Sequence, residues 1–296
     1  MRKGLGPVMK MTLAAMLIVI DILGTRLPGY LQPTALFGFN RISLGPSIVI
    51  FASLALGPFY GAVVGAGGDA LGWLLLGTQT GPLNFFITII YGLLGVLPWL
   101  LLKLSDHFRV LFKKPFILYG LLAILWGVYV GFLFGSNVFD ETFIRWNMNV
   151  LIAKWVFFGV SLVLAVGTVL GLQASGSYFK KRFSGDNDIP SPYQVGFIVL
   201  ISEVVLMVFL KPLAFYCDFL IFFNTTLEYG ILVLLAIMFS FADIPLASFL
   251  VSWLLMFSQR FLHSYGYEEN KGNLNQKAKA ERKLPHEEGS DTRTSD

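Results

Sequence analysis

Three charged residues stand inside apolar stretches, and together they have the chemistry of a proton or cation relay. Asp69 lies in Gly57-Pro58-Phe59-Tyr60-Gly61-Ala62-Val63-Val64-Gly65-Ala66-Gly67-Gly68-Asp69-Ala70-Leu71-Gly72, while Lys154 and Glu203 fall in two later apolar runs. A charge near the middle of a bilayer costs about 2.5–3.5 kcal/mol on insertion scales, so a retained one is paired within the protein or used by it. Asp69 continues the helical stripe Gly57, Gly61, Gly65, which points it into a bundle of helices rather than into lipid. A functional carboxylate and a packing carboxylate bonded to a neighbouring helix both satisfy that pattern. Lys154 can pair with Glu203 or with Asp69, or it can reach the interface from the outer end of its helix. Glu203 sits deeper. Asp21 and Asp243 fall close to expected helix ends, where solvation accounts for them.

A second set of residues suits the capture of a small molecule. Arg26, Arg41 and Arg145 can each form a bidentate pair with a carboxylate or phosphate. Trp73, Tyr91 and Trp146 can stack on a flat ring, and Tyr30, Asn40, Gln79, Asn84 and Asn147 offer polar contacts. Interfacial anchoring and helix packing explain each of these singly as well as ligand contact does. Catalytic sets are missing. His107, His263 and His286 lie in loops or at a helix end, no GxxxxGK[ST] loop occurs, and Cys217 is the single cysteine. No metal, cofactor or covalent chemistry is therefore expected, and an enzyme is the poorer hypothesis.

The elements that position these residues are membrane helices. Of 296 residues, 55% are hydrophobic and 14% are charged, against about 45–50% and roughly 25% in soluble domains. Apolar runs close to the ~20 residues needed to span a bilayer occur at Val8–Gly24, Ile42–Leu56, Pro58–Gly77, Leu83–Leu104, Phe116–Gly135, Asn149–Gly171, Val195–Ala214, Phe219–Phe241 and Ile244–Leu262. The short connections Phe215–Asp218 and Ala242–Asp243 leave room for one re-entrant or kinked piece among the last three. Lys and Arg collect in cytoplasmic loops. Arg2, Lys3 and Lys10, then His107 to Lys114, then Lys180 to Arg182, agree on a cytoplasmic N-terminus and six crossings up to Gly171. The expected architecture is thus an all-α polytopic transmembrane bundle: a six-helix core over 1–180, additional C-terminal segments over 181–264, and a disordered polar tail over 265–296. On the outer side lie the long connection Thr25–Asn40, the turn Thr78–Asn84 and the stretch Ser136–Asn149, which together read as a pocket opening outward.

Arg41-Ile42-Ser43-Leu44-Gly45-Pro46, Leu56-Gly57-Pro58-Phe59-Tyr60-Gly61-Ala62-Val63-Val64-Gly65, Gly68-Asp69-Ala70-Leu71-Gly72, Gly81-Pro82-Leu83-Asn84-Phe85-Phe86 and Tyr91-Gly92-Leu93-Leu94-Gly95 resemble the S components of energy-coupling-factor vitamin transporters, the folate-type branch most. The resemblance covers roughly Val8 to Lys103 well, Phe116 to Gly171 loosely, and nothing beyond. It implies a six-helix subunit that captures a vitamin-like molecule, closes the connection after the first helix over it, and docks on a membrane-embedded coupling subunit with two ATPases. The family docks through an A-x-x-x-A face on its first helix; here Ala14 and Ala15 are followed by Ile18 and Val19. The runner-up expectation is an autonomous ion-coupled transporter working through Asp69, Glu203 and Lys154.

Overall fold

The computed structural model describes residues 6–31, 44–76, 84–107, 115–135, 137, 140, 144, 149–182, 190–222, 232–233 and 235–258. Its helices are α1 (Pro7–Leu31), α2 (Gly45–Leu56), α3 (Pro58–Leu76), α4 (Phe85–Leu94), α5 (Leu97–His107), α6 (Pro115–Gly135), α7 (Val150–Arg182) and α8 (Pro192–Ser202). A π-helical segment, Glu203–Leu210, joins α8 to α9 (Lys211–Phe222), and α10 runs Leu235–Ser258. No strand occurs among the described residues. Six helical stretches are long and apolar enough to cross a bilayer: Pro7–Thr25, Phe85–Ser105, Pro115–Gly135, Val150–Phe179, Pro192–Cys217 and Leu235–Ser258. The chain is an all-α, multi-pass membrane protein.

Local chemistry sets the helix ends. The Asn84 side chain accepts the Ile87 N–H (3.1 Å) and starts α4. Asn149 accepts the N–H groups of Leu151 and Ile152 at 3.1 and 3.3 Å and starts α7. Ser191, ahead of Pro192, accepts the Gln194 N–H at 3.2 Å and starts α8. Each cap satisfies donors that the first helical turn leaves unpaired. Gly57 ends α2 at φ 103°, a conformation that disfavours a side chain. It serves as the turn into α3 and has open space around it, so it does not belong to the packing stripe expected of it.

The structure redraws several expected boundaries. The described part of α2 has 12 residues, about 18 Å of helix, short of the ~30 Å hydrocarbon core. The expected span Leu83–Leu104 is two helices meeting at the Gly95–Val96 turn, just ahead of Pro98, whose ring nitrogen has no hydrogen to donate. Helix α1 continues to Leu31, so Thr25 to Leu31 is helical rather than the start of a loop. Phe215 to Asp218 lies inside α9, and Ala242-Asp243 lies inside α10; neither is a connection. The expected span Phe219–Phe241 therefore divides between the end of α9 and the start of α10.

Pro245 lies inside α10, and Thr168 explains why the helix does not break there. A proline inside a helix frees the carbonyl four residues earlier, here that of Phe241. The buried Thr168 hydroxyl of α7 donates to that carbonyl. Replacing the lost intrahelical bond lets the helix run through the proline.

The core forms two clusters. One gathers α1 to α4 with Val195, Ile198, Val199, Leu206, Met207 and the Ala247–Leu255 face of α10. The other gathers α6 and α7 with Leu200, Val208 and the Ala236–Ile244 face of α10. Helices α8 and α10 thus belong to both, and 56% of each of their spans is buried, against 11–28% for the other four. The segments expected as additions to a six-helix core form its centre. Residues 259–296, including the expected polar tail, lie outside the described residues.

Candidate functional site

Helices α3 and α4 pack as an antiparallel hairpin whose seam changes character along its length. At one end Gly61 meets the Gly95 backbone and Gly65 meets the Tyr91 carbonyl, each so closely that a methyl group on either glycine would overlap it. Small residues on both sides permit this approach, and van der Waals contact replaces the hydrophobic drive that lipid cannot supply. One turn further, the Thr88 hydroxyl donates to Asp69 Oδ2 at 2.6 Å. Beyond it the row ends with half-buried Trp73 on α3 and buried Asn84 on α4. Each step of four along α3 is matched by three or four back along α4, so the stripe carrying Asp69 faces α4. Asp69 is a carboxylate hydrogen-bonded to a neighbouring helix. Tyr91 is also buried on this seam, 7% exposed. Asn84 Nδ2 is buried with no hydrogen-bond partner, while its oxygen serves as the α4 cap.

A second polar group was not foreseen. Asp21 of α1, expected to be solvated, is 2% exposed. Its Oδ1 lies 3.4 Å from the Thr25 hydroxyl, which donates to it. Both side chains sit against Gly45, the first residue of α2, and Asp21 also presses on Gly68 of α3. The α2 N-cap residue, Leu44, has no side-chain cap. A carboxylate from α1 therefore occupies the place where unpaired N–H groups and the positive end of the helix dipole favour an anion. Its role is the joining of three helices.

The third group lies between the two central helices. Glu203, the first residue of the π segment, is 2% exposed. Asp243 of α10 and Lys211, where the π segment gives way to α9, are within electrostatic reach of it. Glu203 Oε1 and Asp243 Oδ1 are buried without a hydrogen-bond partner, as is the hydroxyl of Ser202. An eight-residue π segment is unusual, since π-helix occurs mostly as single turns, frequently at functional sites. The wider winding ends where the Lys211 N–H donates to the Leu206 carbonyl, directly before Pro212. Asp243 was expected to be solvated near a helix end and instead lies inside α10; Lys211 carried a usable signal, being a lysine eight residues after Glu203 inside one apolar run.

The remaining expected residues separate. Lys154 pairs with Asp140 at 2.6 Å near the start of α7, while Asp69 bonds to Thr88 and Glu203 has Asp243 and Lys211 as its electrostatic neighbours. Trp73, Asn84 and Tyr91 share the α3–α4 seam with Asp69. Arg26 and Tyr30 lie on the last turns of α1, with side chains outside the description, and Asn40, Arg41, Gln79, Arg145, Trp146 and Asn147 lie outside the described residues. Among the described residues no group of His, Cys, Asp and Glu is arranged to hold a metal ion.

No protein-family model, no curated protein and no solved structure matches this chain. Its functional reading therefore rests on its own residues.

Proposed function

We propose that this chain is the membrane-embedded substrate-binding subunit of an uptake system for a vitamin or vitamin-like small molecule, of the energy-coupling-factor type. The observation that carries the reading is the polar end of the α3–α4 seam. There an apolar, glycine-packed hairpin finishes in Asp69, Thr88, Trp73 and Asn84, with one amide nitrogen of Asn84 buried and unused. A flat ring beside a carboxylate and an amide is a reasonable recognition set for a heterocyclic ligand. The motifs along Arg41 to Gly95 support the same reading.

Under this reading the protein sits in the cell's inner membrane with its N-terminus cytoplasmic, and the polar end of the seam faces outward. The chain supplies recognition, and a partner coupling subunit with its ATPases supplies the energy. The central position of α8 and α10 sets it apart from a six-helix plan, and the inward face of α1 is occupied by contacts of Ala14, Leu17 and Asp21 within the chain.

Native mass spectrometry of the protein, purified gently from its own membrane, tests the proposal. A retained small molecule together with a copurifying ATPase complex is expected, and Trp73→Ala should lose the molecule while keeping the fold. A bare chain that alone transports solute in proteoliposomes under a proton gradient would overturn it.

A further inference from the structure

We infer that Glu203, Asp243 and Lys211 form an exchangeable proton site at the centre of the bundle, holding one proton between the two carboxylates.

The argument is one of charge balance in a medium that cannot solvate charge. Glu203 is 2% exposed, and the two carboxylates and the lysine lie within electrostatic reach of one another. They sit on the two most buried of the six helical stretches long enough to cross a bilayer. Fully ionised, two carboxylates and one ammonium leave one uncompensated negative charge. Burying such a charge is costly enough that a group binds a proton instead. One proton makes the trio neutral.

The unpartnered atoms point the same way. Glu203 Oε1 and Asp243 Oδ1 have no hydrogen-bond donor; a shared proton would give one carboxyl an O–H to donate. Among the described residues, α4 offers only Tyr91 as a titratable group and α6 only Tyr119 and Tyr129. Helix α8 offers Tyr193, and α9 offers Tyr216, Cys217 and Asp218 beside Lys211, the Asp218 side chain lying outside the description. On α5, Lys103 lies over the Trp99 ring at 3.9 Å, and on α7, Lys154 is engaged with Asp140. The π segment supplies the mechanical counterpart. Glu203 begins it and Lys211 follows it, so rewinding this segment to α-helix would turn the lysine relative to the carboxylates and change the proton's hold. The inference is independent of the transport reading above and stands or fails separately.

Infrared difference spectroscopy on the full chain in lipid nanodiscs, titrated with acid and base in sodium-free buffer, tests it. One protonated-carboxyl band is expected at neutral pH, lost as one proton is released into a pH indicator at high pH. Glu203→Gln and Asp243→Asn should each abolish that band and that proton. Lys211→Met leaves two carboxylates without their cation and should double the band at neutral pH, a gain that a misfolded variant would not produce. A band that survives both amide variants, or no change in Lys211→Met, overturns the inference. So does proton release triggered by sodium at constant pH, which would make the trio a monovalent-cation site.

Discussion

Asp21 and Glu203 are buried to the same degree, each 2% exposed, and the protein treats them in opposite ways. Asp21 has the Thr25 hydroxyl on one oxygen and lies over the first residue of α2, where a helix end welcomes an anion. Glu203 has an oxygen with no donor, and its electrostatic neighbours are a second carboxylate and a lysine. Burial alone therefore does not separate the acid that joins helices from the one proposed to hold a proton. What separates them is whether the fold has completed the acid's hydrogen bonds. The same contrast holds between regions. The Gly61–Tyr91 end of the α3–α4 hairpin is closed by backbone contact, whereas the meeting of α8, the π segment and α10 leaves polar atoms open.

The largest way to break the comparison is to attack the closed region. Gly65→Leu places a side chain where the Tyr91 carbonyl lies and should cost about 3 kcal/mol or prevent folding. The control Gly120→Leu, with nothing near its added carbon, should leave unfolding in detergent unchanged. Next in size is Asp21→Ala, which removes the anion over α2 and should cost about 2 kcal/mol, read as a lower midpoint of thermal or denaturant unfolding. Its counterpart Glu203→Gln should leave that midpoint unchanged or raise it, since it removes an acid whose bonds are incomplete. Equal losses in the two variants would erase the distinction between them.

Smaller effects sharpen the picture. Thr168→Val leaves the Phe241 carbonyl without its donor and should cost about 1 kcal/mol. In a Pro245→Ala background, where the backbone can supply that bond, the cost should vanish; a cost that persists would deny the compensation. The smallest effect belongs to the Lys154–Asp140 pair, with its acid 34% exposed. Lys154→Met should change stability by about 0.5 kcal/mol and by less at high salt.

How far these features could be read in advance varied with the range of the interaction. The apolar runs announced membrane helices, because a span needs about 20 apolar residues whatever surrounds it. The stripe of Gly61, Gly65 and Asp69 announced a helix contact, because helical period places those residues on one face, and α4 is the partner that meets it. The Asn84 and Ser191 caps are equally local contacts, each to the N–H three residues on. Composition and helical period thus fix that the chain enters the membrane as helices and which face of α3 is packed.

The remaining features depend on contacts between segments distant along the chain. Pro245 is a break signal in one dimension and becomes part of a continuous helix once Thr168 of another helix repairs its bond. Asp21 looks like a solvated helix-end residue until α2 starts directly against it. Glu203, Lys211 and Asp243 come together through a π segment and a helix packing that no local pattern specifies. In lipid the choice of neighbour follows from shape and hydrogen bonding rather than from hydrophobicity. The partners of buried polar groups are therefore settled by the assembled bundle and not by the order of residues along the chain.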